Sequence, residues 1–199
     1  DIDVSSCVTL KVNNPEINVI CGDVTSPDIK NSIIREARGV EIVCGGPPCQ
    51  GFSMAGHRLA DDPRNQLFRD FIDIVASLKP KIVVFENVEG ILTIQQGQIY
   101  RVIHEMFGEI GYNTTGSVLN TSNYAVPQRR KRVIIICTRK DLSIEPSILF
   151  PSKITPDEKN QITAYDAIFD LQDIECSEDS IANTTPMSVF SQWAMGQIP

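Results

Sequence analysis

Short apolar runs alternate with stretches of helical periodicity along most of the chain. Four runs rich in β-branched residues lie at 18–21, 41–44, 81–85 and 132–137, and each is apolar after its first residue. Strands that are buried on both faces of a parallel sheet have this composition. Between the runs, apolar residues recur at helical spacing in 67–78 and 99–110, and Ser26-Pro27 marks the start of a further helix.

This alternation predicts an α/β domain with a mostly parallel sheet. The segment from Tyr112 to Cys137 contains two strand-like runs with no helical pattern between them, so we expect an antiparallel pair near the C-terminal end of the sheet. From about residue 143 prolines interrupt the pattern, and one short amphipathic piece follows at 164–171. We therefore predict a core at 1–142 and a connecting segment at 143–199.

Composition and charge narrow the class of protein. The chain has 199 residues, 42% of them hydrophobic and 22% charged, which is ordinary for a folded domain. The net charge of −7 argues against a broad nucleic-acid surface, although residues 129–132 form a local basic cluster. No apolar run approaches the roughly 20 residues of a membrane helix, so we expect no membrane contact. Six cysteines without C-x-x-C spacing favour a reduced protein without a metal site.

Chemically unusual side chains follow three of the predicted strands. In open α/β sheets, ligands bind beyond the carboxyl ends of the strands. Cys49 lies in GGPPCQGFS (45–53), where prolines stiffen the backbone, glycines permit close approach and cysteine offers a strong nucleophile. Glu86 follows the run at 81–85, and Asp23 follows the run at 18–21. We expect Cys49 and Glu86 to face one crevice, and we interpret the other five cysteines as buried residues that pack as small hydrophobes.

Three motifs of the chain resemble those of the DNA cytosine-5 methyltransferases. GGPPCQGFS resembles the proline-cysteine motif of this family, FENVEG (85–90) its Glu-Asn-Val motif, and PQRRKR (127–132) its Gln-x-Arg-x-Arg motif. They occur in the order of the family and with its usual gaps. DID, CGDVT (21–25) and DPRNQLF (62–68) resemble further motifs, so that the resemblance covers about residues 1–140. It implies the Rossmann-like fold of S-adenosylmethionine-dependent methyltransferases.

The resemblance implies methyl transfer from S-adenosylmethionine to C5 of a cytosine that is flipped out of double-stranded DNA. Cys49 is the implied nucleophile, which adds covalently to C6. Glu86, buried in an apolar pocket, is implied to hydrogen-bond to or protonate N3, and Arg130 to contact O2. Asn87 and Arg132 are implied to support this catalytic group.

Binding residues are implied in the same way. Asp1 and Asp23 are expected to bind the ribose hydroxyls and the adenine amino group of the cofactor. The expected apolar or backbone contacts to the cofactor are Ile2, Pro47 and Leu67. The expected DNA contacts are Gln50, Ser53 and Gln128.

The chain also departs from the family pattern. The Gly-rich F-x-G-x-G motif belongs just before Asp1, and the target-recognition domain and last motif belong beyond Pro199. We therefore expect an excerpt whose other parts come from the same gene product or from a complementing subunit, in the bacterial cytoplasm or a eukaryotic nucleus. Two alternatives stay open at this point: a tRNA cytosine-5 methyltransferase of the same fold, and a catalytically silent subunit.

Overall fold

The structure is a computed structural model that describes residues 1–48, 66–92, 94–171 and 192. Contacts divide the chain into two units. The first contains Asp1–Val118 and Arg132–Phe150, and the second contains Leu119–Lys131 and Pro151–Pro199. The predicted boundary after residue 142 stays a prediction. Within the described ranges, no helix is both long enough and apolar enough to cross a membrane.

The described residues form five α-helices and four β-strands. The helices are α1 (Val4–Asn13), α2 (Pro27–Glu36), α3 (Gln66–Leu78), α4 (Gln98–Glu109) and α5 (Ala164–Ile168). The strands are β1 (Ile42–Gly45), β2 (Ile82–Asn87), β3 (Tyr112–Asn120) and β4 (Lys131–Arg139). From α2 to β3, helices and strands alternate along the chain, which is the order that the hydrophobic pattern predicts for this part of it.

The four strands form one mixed sheet with the order β1-β2-β4-β3. Strands β1 and β2 are parallel, with Gly45 opposite Phe85, whereas β4 runs antiparallel to β2, with Val133 opposite Asn87. Strands β3 and β4 are neighbours in the sheet and follow each other in the chain without an intervening α-helix. The predicted α/β fold, with a mixed sheet and an antiparallel strand in its C-terminal part, is confirmed.

The predicted strand at 18–21 is wrong. This segment passes beside Asp1, whose backbone N donates to the carbonyl of Ile20 at 3.2 Å and whose carbonyl accepts from Gly22 N at 2.8 Å. These two bonds have the pattern of a parallel ladder, but both join the segment to a single residue, Asp1, which is too few for a strand. The apolar run at 18–21 therefore does not form a strand.

The core of the first unit lies between α3, α4 and the central strands. Phe68 of α3, Phe85 of β2 and Phe107 of α4 have no exposed surface and meet edge to face, with ring centroids 5.5 Å apart for Phe68 and Phe85. Edge-to-face packing of buried rings is favourable beyond the burial of their area. This core fixes β2, and with it the residues at the carboxyl end of β2, where the candidate site begins.

Candidate active site

The carboxyl ends of β1 and β2 form the floor of the candidate site. Because the two strands are parallel and in register, the segment after Gly45 emerges beside Glu86 and Asn87. The side-chain Nδ2 of Asn87 donates to the carbonyl of Pro47 at 3.0 Å, and its Oδ1 accepts from Val88 N at 2.9 Å. Asn87 is thus buried and bonded on both sides. It joins the double-proline segment to the end of β2.

Two glycines allow the chain to leave β1 at this point. A Cβ added to Gly45 would lie 2.4 Å from Cε2 of Phe71, and one added to Gly46 would lie 3.0 Å from Oε2 of Glu86. Since real Cβ atoms do not approach other heavy atoms to 2.4 Å, Phe71 would have to move. Gly45 and Gly46 therefore allow close packing, Gly45 against the ring of Phe71 and Gly46 against Glu86.

Glu86 is held by an arginine from the neighbouring strand. Strand β4 is antiparallel to β2, which places Arg132 next to the end of β2, and Arg132 Nε lies 3.0 Å from Glu86 Oε1. The Glu86 side chain remains 44% exposed. The expectation that it is buried in an apolar pocket is therefore wrong for this chain, because its nearest described partner is a cation and its outer surface is open.

A cleft of about 1050 Å³ adjoins this floor within the first unit. All five residues expected to bind a cofactor line it: Asp1, Ile2, Asp23, Pro47 and Leu67. Apolar side chains of α2 and α3 supply much of its remaining wall. A cleft with an apolar wall and a few polar groups suits a ligand that has an aromatic ring and hydroxyl or amine groups.

The two acidic residues of the cleft are fixed by local hydrogen bonds. Asp23 Oδ1 accepts from the backbone N of Thr25 at 2.9 Å, and this bond together with the Thr25 hydroxyl holds the pKa of Asp23 below its usual value. Asp1 Oδ1 accepts from the backbone N of Asp3 at 2.9 Å. Asp23 is therefore an ionised acceptor at neutral pH, as recognition of ligand N–H or O–H groups requires.

Arg130 and Gln128 belong to the second unit and are described within it. Both side chains are exposed. The hydroxyl of Thr121 donates to the carbonyl of Gln128 at 2.6 Å and accepts from Arg130 N at 3.2 Å, while Thr121 N donates to the carbonyl of Arg130 at 3.0 Å. Thr121 thus closes the loop that carries both residues.

The structure brings some of the predicted catalytic residues together. Glu86, Asn87 and Arg132 converge at the end of β2, next to the segment that leads to Cys49. Cys49, Gln50 and Ser53 lie outside the described residues, so their predicted roles stay predictions.

Sequence reasoning missed several residues that shape the cleft. Phe71 and Ile29 line it, and Thr25 fixes Asp23. Phe71 could have been found, because it follows Leu67 by four positions on α3 and so lies on the same helix face. Thr25 and Ile29 give no such signal, since their position depends on how the loop before α2 folds.

Comparison with known proteins identifies the family of this chain. The sequence model of the C-5 cytosine-specific DNA methylases matches residues 1–192. The chain is 38% identical over 180 residues to the type II methyltransferase M.XorII of Xanthomonas oryzae pv. oryzae, covering 88% of this chain and 41% of that protein. It is 34% identical over 208 residues to the type II methyltransferase M.AquIA of Picosynechococcus sp., covering 97% of this chain and 81% of that protein.

A solved structure from E. coli is similar to the chain as well. It is assigned as a DNA modification methyltransferase encoded within a prophage, with a TM-score of 0.66, 28% identity, and coverage of 87% of this chain and 48% of that one. The first three curated relatives are covered over 41%, 45% and 54% of their length. The chain thus spans about half the length of these relatives.

Proposed function

Because the chain belongs to the C-5 cytosine-specific DNA methylase family, we propose that the full protein transfers a methyl group from S-adenosylmethionine to C5 of a cytosine in double-stranded DNA. One observation carries this proposal: Asn87 ties the segment before Cys49 to the end of β2, where Arg132 holds Glu86. Glu86 and the chain segment that leads to Cys49 are thereby held together beside the cleft that Asp1 and Asp23 line. The type II methyltransferases among its relatives favour a modification enzyme of the same kind.

The side chains that line the cleft suit S-adenosylmethionine. Asp23 is an ionised acceptor suited to an adenine amino group, and Asp1 offers carboxylate oxygen to ribose hydroxyls. Ile2, Leu67 and Phe71 supply the apolar wall that an adenine ring needs. When bound there, the cofactor supplies an electrophilic methyl group.

The reaction begins at the cysteine. Cytosine C5 is a poor nucleophile, so the Cys49 thiolate forms a bond to C6 and the electron density moves to C5. Once C5 carries the methyl group, the proton at C5 leaves to a base and the bond between sulfur and C6 breaks, which restores the aromatic ring and the thiolate. The cytosine has to be flipped out of the duplex for Cys49 to reach C6.

Glu86 balances the charge that develops on the ring. As the thiolate adds to C6, N3 gains electron density, and Glu86 donates a proton to N3 or shares one with it in a hydrogen bond. Arg132 keeps the carboxylate aimed by its bond to Oε1, which leaves Oε2 as the oxygen nearer to Gly46. A flipped base would cover the exposed surface of this carboxylate. Arg130 is the candidate donor to O2 of the base.

Methyl transfer by the full-length protein tests the proposal. Duplex DNA and unmodified tRNA would each be incubated with S-adenosylmethionine carrying a labelled methyl group, and the digested nucleosides would be identified by mass spectrometry. We expect 5-methylcytosine in DNA from the wild type, and a loss of about 100-fold or more in Glu86→Gln, which lacks the acid. Product in tRNA alone would favour the tRNA enzyme, and no product from folded, cofactor-binding protein would favour a silent subunit.

The DNA partner and the missing parts belong to the same proposal. Exposed cations at Arg129, Arg130 and Lys131 offer phosphate contacts despite the acidic net charge. The chain spans about half the length of relatives such as M.XorII. We therefore expect a further part, in the same gene product or in a complementing subunit, to read the target sequence. Mixing residues 1–199 with the remaining part of the gene product should restore methylation that neither part gives alone.

A further inference from the structure

A buried carboxylate lies outside the catalytic group described so far. Asp70 on α3 has only 1% of its side chain exposed. Lys30 Nζ on α2 lies 2.5 Å from Asp70 Oδ1, and Gln66 Nε2 lies 3.2 Å from both carboxylate oxygens. A buried charge is costly unless it is paired and hydrogen-bonded, so this carboxylate requires both partners.

The pair joins the two helices that wall the cleft. On α2, Ile29 and Ile33 flank Lys30 in sequence and line the cleft. On α3, Leu67 and Phe71 flank Asp70 and line it from the other helix, and Gln66 itself lies at its wall. The distance between these apolar surfaces therefore depends on the contact between Lys30 and Asp70.

The ion pair is well suited to hold a fixed spacing. Asp70 raises the pKa of Lys30 above its usual value, so the lysine stays charged throughout the neutral range. Its second partner, Asp73, lies 3.2 Å away but is 63% exposed, and an exposed partner contributes little. Asp70 is thus the buried partner that links Lys30 on α2 to α3.

We propose that Lys30 is a positioning residue for cofactor binding, which acts through Asp70 and Gln66 by setting the separation of α2 and α3. It touches no reacting atom, so its loss should weaken binding of the cofactor without slowing the chemical step. This inference rests on the proposed function, because it takes the cleft to be the site of S-adenosylmethionine.

The test uses the full-length protein with S-adenosylhomocysteine as the probe in titration calorimetry. Lys30→Met alone leaves the buried Asp70 charge without its cation and destabilises the fold, so the decisive variant is Lys30→Met with Asp70→Asn, which removes both charges. The matched control is Lys81→Met. It removes another lysine–carboxylate pair, to Glu41, at the opposite end of the β1–β2 pair and away from the cleft.

We expect the double variant to raise the Kd of the probe and the KM of S-adenosylmethionine about tenfold, with kcat within about twofold of the wild type. Lys81→Met should leave all three values within about twofold. Wild-type affinity in a folded double variant would overturn the inference, and so would an equal loss in Lys81→Met. A wild type that binds no probe at all would instead overturn the proposed function, and with it this inference.

Discussion

At the residue scale, Arg132 orients the Glu86 carboxylate in a way that a lysine could not. Its guanidinium approaches Glu86 through Nε, at 3.0 Å, and its side chain is 27% exposed. A guanidinium is planar and presents its donors in a fixed fork, whereas an ammonium is a mobile point charge. The geometry of the Glu86 carboxylate therefore depends on the arginine and not only on a positive charge nearby.

Replacing this arginine with lysine tests that dependence. Arg132→Lys should lower kcat for DNA methylation by about 10- to 100-fold, because the carboxylate loses its orientation while the net charge is unchanged. The matched control is Arg35→Lys, since Arg35 Nε also lies 3.1 Å from a glutamate, Glu36, on the exposed surface of α2. Steady-state kinetics on duplex DNA measure both. Equal kcat values for Arg132→Lys and the wild type would show that orientation is unimportant.

Much of the candidate site could be predicted at this scale, and some could not. Parallel strands end at the same edge, so the sequence alone places Glu86 near the segment of Pro47 and Cys49. The partner of Glu86 follows from the strand order, which puts β4 beside β2. The exposure of Glu86 could not be predicted, because it depends on how far the surrounding loops cover the end of the strand.

At the scale of elements, the junction after β1 depends on a small residue. Gly45→Ala would place a Cβ 2.4 Å from the ring of Phe71, which packs against Phe85 with ring centroids 6.0 Å apart. We expect a loss of about 1–3 kcal/mol in the free energy of unfolding, together with weaker binding of S-adenosylhomocysteine, since Phe71 also lines the cleft.

The control for this change is another glycine with open space around it. Nothing lies within 4 Å of a Cβ added to Gly108 on α4, so Gly108→Ala should stabilise the protein by up to about 1 kcal/mol through helix propensity. Urea unfolding followed by circular dichroism measures both variants. A Gly45→Ala protein as stable as the wild type would contradict the packing described for this junction.

Strand β3 is tied to the start of β2 by a buried tyrosine. The Tyr112 hydroxyl donates to the carbonyl of Pro80 at 2.7 Å, and the residue is 2% exposed. Burial raises the pKa of Tyr112 to about 12. A group with a raised folded-state pKa stabilises fully below its unfolded pKa, here about 10, and loses that contribution as the pH rises towards 12.

Tyr112→Phe should therefore reduce the alkaline loss of stability. We expect the variant to be less stable than the wild type by about 1 kcal/mol at pH 8, because the bond to Pro80 is lost. This difference should shrink as the pH rises above about 10. Lys30 and Cys137 also have raised pKa values, so only the difference between the two proteins is informative. A pH-independent difference would rule out Tyr112 as a source of the alkaline loss.

The hydrophobic pattern is sufficient to predict most of the helices and strands that the structure describes. The sequence predicts helices α2, α3 and α4 because their apolar residues recur at helical spacing, and strands β1, β2 and β4 because their runs are continuously apolar. Helix α1 was missed, since Cys7 is its only buried residue and its valines are exposed. The Asp3 carboxylate, which accepts from Ser6 N at 2.8 Å, caps this helix, and no apolar stripe marks it.

At the scale of the whole molecule, the predicted site residues are distributed over both units. The first unit contains Glu86, Asn87, Arg132 and the cleft, whereas the second unit carries Arg130 and Gln128. The division mixes segments that are distant in the sequence, which the composition shift near residue 143 could not reveal. The chain matches about half the length of relatives such as M.XorII. Full activity is accordingly proposed for the complete gene product.

The central claim is that Cys49 forms a covalent bond to cytosine C6, and one measurement tests it most directly. Full-length protein would be mixed with S-adenosylmethionine and duplex DNA that carries 5-fluorocytosine, and denaturing gels and peptide mass spectrometry would follow. Fluorine cannot leave C5 as a proton does, so the adduct persists after methyl transfer. We predict an adduct that maps to Cys49 and is absent in Cys49→Ala. Folded, cofactor-binding protein that gives no adduct, or an adduct on another residue, would contradict the account.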